Sequence, residues 1–163
     1  MEAEITTEGL KIAGRWIAPT ARDLDMALGA SHRDIEIPLH GGGIRRIRVF
    51  DALGFVYYLD ETPPEIPAVL FALFPPDAPF SVGSAFSGYL RVNGTALTSE
   101  MTSAKLPTAG ALHFEPQFGH KWRAAGPSFS VWLSLCRRKN RSGKRTGAPR
   151  LVDVSICYDN HGG

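Results

Sequence analysis

Short runs of alternating apolar and polar residues, each stopped by a glycine, constrain this chain's fold more than any other feature. The clearest is Tyr89-Leu90-Arg91-Val92, which meets Asn93-Gly94 before Thr95-Ala96-Leu97 runs back. A period of two puts alternate side chains on opposite faces of a strand, and Asn-Gly readily takes the two positive φ angles of a tight hairpin turn. Leu10 and Ile12, then Gly14, then Trp16 read the same way. Set against each other, Gly9 to Ile17 and Tyr89 to Leu97 both follow leucine, basic, β-branched, any residue, glycine, two residues, aliphatic. Any hairpin with a glycine turn gives a similar pattern, so the echo alone does not establish duplication.

One helix interrupts the alternation. Thr20 is a good N-cap, Asp23 sits at the third helical position, Leu24, Ala27 and Leu28 share a face, and Gly29 ends the helix. Strand signals then resume. Ile35, Ile37 and Leu39 alternate with polar neighbours, Gly41-Gly42-Gly43 turns the chain, and Ile44, Ile47 and Val49 lie on the return. Asp51-Ala52-Leu53-Gly54 makes a turn before Phe55 to Leu59, which puts Phe55, Tyr57 and Leu59 on one face. Ile66 to Phe74 is almost wholly apolar between prolines and suits a buried strand, with a helix as the alternative. Further strands are expected over Ala111 to Glu115, Ser128 to Arg137 and Leu151 to Tyr158.

The pattern predicts an α+β fold: a curved, mainly antiparallel sheet with one N-terminal helix packed on it and a second short helix near 99–106. At 163 residues the chain suits a single domain over 1–163. Met1-Glu2-Ala3-Glu4 is acidic where a secretory signal is basic, and no run approaches the ~18 apolar residues of a membrane span, so a cytoplasmic protein is expected. Cys136 and Cys157 then read as buried free thiols.

Charge is unevenly placed. Residues 137–150 hold seven of the 18 basic residues and no acid, leaving 11 basic against 16 acidic residues elsewhere. This segment reads as a solvated, mobile hairpin tip; its rival role is a nucleic-acid contact, although it has no aromatic to stack on a base. The acids Asp60, Glu61, Glu65 and Asp77 gather where no cation occurs from 51 to 79, and such a patch steers basic partners.

Signs of catalysis are poor. His32, His40, His113, His120 and His161 lack the spacing of a zinc site, and neither cysteine has a partner nearby in sequence, so no metal or cofactor is expected. Ser84 and Ser87 lie among glycines without the G-x-S-x-G order. Gly41-Gly42-Gly43 with Arg45 and Arg46 could cradle a phosphate, but a strand rather than a helix follows. A small hydrolase would require His113, His120, Asp153 and a serine to converge on one pocket.

The blocks Leu10-Lys11-Ile12-Ala13-Gly14, Leu28-Gly29, Val49-Phe50-Asp51-Ala52-Leu53-Gly54-Phe55-Val56-Tyr57-Tyr58 and Phe86-Ser87-Gly88-Tyr89-Leu90-Arg91-Val92-Asn93-Gly94 resemble an uncharacterised bacterial family of immunity-like proteins. Members occur beside secreted polymorphic toxins, including type VI secretion effectors. The resemblance covers roughly 9–106 and has no functional residue to carry over. It implies a non-enzymatic, cytoplasmic immunity protein that binds a cognate protein toxin and occludes it. Asp60, Glu61, Glu65 and Asp77 are the expected contact residues, and a nucleic-acid-binding module using 137–150 is the alternative.

Overall fold

A computed structural model describes residues 1–38, 42–60, 65–75 and 82–159. The helix, α1 (Ala21–Leu28), begins where Thr20 Oγ1 accepts a hydrogen bond from the Asp23 N–H at 3.2 Å. It stops at Gly29, whose φ of 56° lets its N–H donate to Asp25 O. Leu24 and Leu28 are buried, as their spacing requires.

Two sheets carry the rest. The smaller contains β1 (Glu2–Thr6), β2 (Gly9–Ile12), β3 (Arg15–Ile17), β8 (Tyr89–Val92) and β9 (Thr95–Leu97), in the order β3-β2-β1-β8-β9. The two echoing hairpins therefore flank β1. Ala13 and Gly14 have φ of 50° and 77°, and Asn93 and Gly94 have φ of 52° and 73°, so both turns are left-handed at both central residues. Leu10 pairs with Ile17 as Leu90 pairs with Leu97. Glu4 pairs with Lys11 on one side and Arg91 on the other. A half-turn about an axis through Glu4, normal to the sheet, exchanges the two pairings. That operation reverses β1, which is why β2 pairs with it antiparallel and β8 parallel.

The larger sheet is antiparallel throughout. Its strands are β4 (Arg33–Pro38), β5 (Ile44–Phe50), β6 (Phe55–Leu59), β7 (Ala68–Ala72), β10 (Glu115–Pro116), β11 (Lys121–Ala125), β12 (Phe129–Cys136) and β13 (Arg150–Tyr158), in the order β10-β11-β12-β13-β7-β6-β5-β4. One buried cluster joins the sheets: Ile5, Leu10, Leu90 and Val92 from the smaller, Phe55, Tyr57, Phe71, Leu133 and Ile156 from the larger, and Leu24 and Leu28 from α1. On the other face of the larger sheet, Ile47, Val49, Val56, Leu70, Ala72 and Val82 form a second buried cluster.

The two central sequence blocks abut. Gly54 has φ of 64°, and a Cβ there would meet the backbone of Ala85 and Phe86. Its carbonyl accepts from the Ala72 N–H at 2.8 Å, and the Ala72 carbonyl accepts from the Phe86 N–H at 2.7 Å. Asp51 completes the junction by accepting from Arg33 Nε at 2.5 Å and from the Gly83 N–H at 2.9 Å.

Several expectations need correction. Among the described residues the fold is mostly β with one helix, but it has two sheets rather than one, and β1–β8 is a parallel pair. The second helix is a single 3-10 turn at Ser103–Lys105. Of Ala111 to Glu115 only Glu115 is in a strand. Leu112 and Phe114 are buried because Asn93 clamps this segment: its Nδ2 donates to Pro107 O and Leu112 O, and its Oδ1 accepts from the Leu112 N–H. The strands β1 and β11 were not foreseen.

Candidate functional site

Among the described residues no three His, Cys, Asp or Glu side chains are placed to hold a metal ion, and no helix is long and apolar enough to cross a membrane. Three surface features remain, each traceable to strand register.

The first is acidic. Asp60 and Glu65 lie together because the Asp60 N–H donates to Glu65 O at 2.9 Å. With Glu36, Gly43, Ile44, Arg46 and Leu59 they surround a concavity of about 690 Å³. Arg46 reaches Glu36 at 3.8 Å and partly compensates it. Ile44 stands beside them, 66% exposed. The concavity lies at the free end of the sheet order, where β4 pairs with β5 alone among the described strands. Of the four acids expected at the contact surface, Asp60 and Glu65 line this concavity; Glu61 and Asp77 lie outside the described residues. Glu36 was missed because it belongs to a different strand.

The second is the basic segment, folded as a hairpin closed by a bridge between Lys139 and Arg145. Asn140 Oδ1 accepts from the N–H groups of Ser142 and Lys144, which tightens the tip. Arg138 is not available to a partner: it pairs with Glu100 at 2.8 Å, donates to Ser99 O at 2.6 Å and lies 4.2 Å over the Phe74 ring. Arg150 also pairs with Glu100, and Arg145 donates to Cys136 Sγ and Arg137 O. Arg137, Lys139, Arg141 and Lys144 are exposed.

The third is a trough of about 670 Å³ on the outer face of the larger sheet, lined by residues that include Arg45, Tyr58, Lys121, Ser134, Asp153 and Cys157. Register builds it. Asp153 pairs with Ser134 on β12 and with Ala72 on β7, and Ser155 and Cys157 follow on the same face of β13 opposite Leu70 and Ala68. Small side chains in three neighbouring strands leave a floor that Tyr58 and Arg45 wall on one side and Lys121 on the other. Asp153 is only 6% exposed. Burial pushes its carboxyl up to about 6, although a hydrogen bond from Ser134 and the charge of Lys121 pull the other way. Burial also raises the Cys157 thiol and the Tyr58 phenol.

The trough answers two sequence expectations. Asp153 and Ser134 do converge, but neither His113 nor His120 lines the cavity, so the hydrolase constellation does not form there. Arg45 lines the trough and Arg46 the acidic concavity, so adjacent residues on β5 point to opposite faces and do not clamp one phosphate. Cys136 and Cys157 are free and half-buried at the trough rather than in the core.

A scan of protein-family models and searches of curated proteins and of solved structures found no match to the chain.

Proposed function

We propose that the protein is an immunity protein that binds and occludes a cognate antibacterial toxin, of the kind delivered by type VI secretion, in the cytoplasm, and that the acidic concavity at the β4 edge is its contact surface. What supports this reading is the meeting of Asp60, Glu65 and Glu36 around the exposed Ile44. An apolar anchor ringed by charge is the arrangement that binding hot spots favour, with the anchor supplying affinity and the acids steering a basic partner. Glu36 and Ile44 stand on the paired strands β4 and β5, which limits the backbone ordering that association costs.

The test is association kinetics with the product of the adjacent gene, together with growth protection on co-expression. Changing Glu36→Gln, Asp60→Asn and Glu65→Gln together should slow association severalfold at low salt and much less near physiological salt, where the screening length falls to ~8 Å. Ile44→Ala should speed dissociation about tenfold or more. An adjacent gene product that neither binds nor harms the cell removes the immunity reading.

The exposed Arg137, Lys139, Arg141 and Lys144 favour a second reading, a nucleic-acid contact at the basic hairpin. Neutralising those four should abolish salt-dependent retention on polynucleotide while leaving the Arg138–Glu100 dock intact. A chain that ignores polynucleotide at low salt excludes it.

A further inference from the structure

The trough around Asp153 has a composition that neither reading uses. A carboxylate accepts about four hydrogen bonds, and the side chain of Ser134 provides one. A carboxylate with acceptor capacity to spare can take an N–H from a ligand that enters the trough. Arg45 and Lys121 stand on opposite walls. Arg45 lies 5.9 Å from the Tyr58 ring and Lys121 5.7 Å from the Phe118 ring, and among the described residues neither forms an ion pair with a carboxylate. Between these charges lie Ala68, Leu70 and Val152. The cavity, at about 670 Å³, is within the range that small-molecule sites occupy.

We propose that this trough binds a small amphoteric molecule, whose ammonium or amide N–H goes to Asp153, whose carboxylate is held by Arg45 or Lys121, and whose apolar frame covers Ala68, Leu70 and Val152. A cation alone meets two like charges at the walls, and an anion alone meets Asp153 on the floor. A molecule carrying both groups satisfies each where it stands, and that difference is the source of selectivity.

Amide spectra of the ¹⁵N-labelled protein, titrated with 4-(aminomethyl)benzoate, benzoate and benzylamine, decide the question. At about 0.3 kcal/mol per non-hydrogen atom, ligands of this size bind in the millimolar range. The zwitterion should shift amides along β12 and β13 around Ser134, Asp153 and Ser155, and bind roughly tenfold more tightly than either half-molecule. Asp153→Asn should weaken the zwitterion about tenfold and leave benzoate unchanged or improved. The double change Arg45→Gln with Lys121→Gln should weaken benzoate and the zwitterion and spare benzylamine. Should Asp153→Asn not fold, Ala68→Leu, which fills the floor, should abolish binding of all three. No shifts at the trough from any of the three at about 10 mM, or equal affinity of the zwitterion for the Asp153→Asn protein, overturns the proposal.

Discussion

The phenolic oxygen of Tyr57 donates to Asp25 Oδ1 at 2.7 Å and so ties α1 to the larger sheet. Arg48 joins them, donating to Asp25 Oδ2 at 2.7 Å, to Tyr57 Oη at 3.1 Å and through two nitrogens to Asp34. Asp25 therefore answers two donors from two strands. Tyr57→Phe should cost about 1–2 kcal/mol in denaturant unfolding, because Arg48 still answers the carboxylate. Arg48→Met should cost more, since Asp34 loses both of its hydrogen bonds from Arg48 and Asp25 keeps only the one from Tyr57. Arg48 holds Asp34 below the usual carboxylate range. That part of the stability is present above the ordinary carboxylate pKa and lost as pH falls through the lowered value, so Arg48→Met should also flatten the acid limb of the stability profile.

Gly54→Ala and Gly14→Ala separate two uses of glycine. Both positions have positive φ, but a methyl at Gly14 meets open space whereas at Gly54 it meets the Phe86 backbone. Gly14→Ala should cost about 1 kcal/mol, and Gly54→Ala at least twice that or failure to fold. Equal thermal shifts for the two would contradict the tight junction between the blocks.

Asn93 does two jobs that can be taken apart. Asn93→Gly keeps the positive-φ turn and removes the clamp on Leu112; Asn93→Ala removes both. Asn93→Gly should expose the 107–112 segment to faster amide exchange at a cost of about 2 kcal/mol, and Asn93→Ala should add about 1 kcal/mol. If Asn93→Gly leaves exchange at Leu112 unchanged, the clamp carries no stability.

The expectations that succeeded rested on local chemistry. Thr20, Gly29 and Asn93-Gly94 act through neighbours a few residues away, so the helix limits and the second hairpin could be read directly. The expectations that failed concern partners distant in sequence. Glu2 to Thr6 alternates too briefly to announce a strand, and its pairing with Tyr89 to Val92 is visible only in space. The same applies to the sites: Asp60 and Glu65 are close in sequence, but Glu36 reaches them through β4–β5–β6 pairing, and Asp153 reads as an ordinary strand acid until Ser134 and Lys121 are brought beside it.

Asp153 gives the stability profile a slope of the opposite sign. Burial raises its carboxyl from 3.8 to about 6, so the folded protein prefers it protonated. Its contribution is fully present below the unfolded value and is lost as pH rises through about 6. The shift corresponds to about 3 kcal/mol. Asp153→Asn keeps an acceptor for Ser134 without the buried charge, so its melting temperature should exceed that of the unchanged protein at pH 7 and match it near pH 4. A constant difference across that range would place the carboxyl in solvent.

The position of β1 between two hairpins sets an order of assembly. Its antiparallel neighbour follows at once, but Tyr89 to Val92, its parallel neighbour, leaves the ribosome only after most of the larger sheet's first half has been made. Until then β1 exposes one row of amides and carbonyls, a template that another nascent chain can occupy. Glu2 and Glu4 set like charges along that open edge and discourage such pairing until Tyr89 to Val92 arrives to close it.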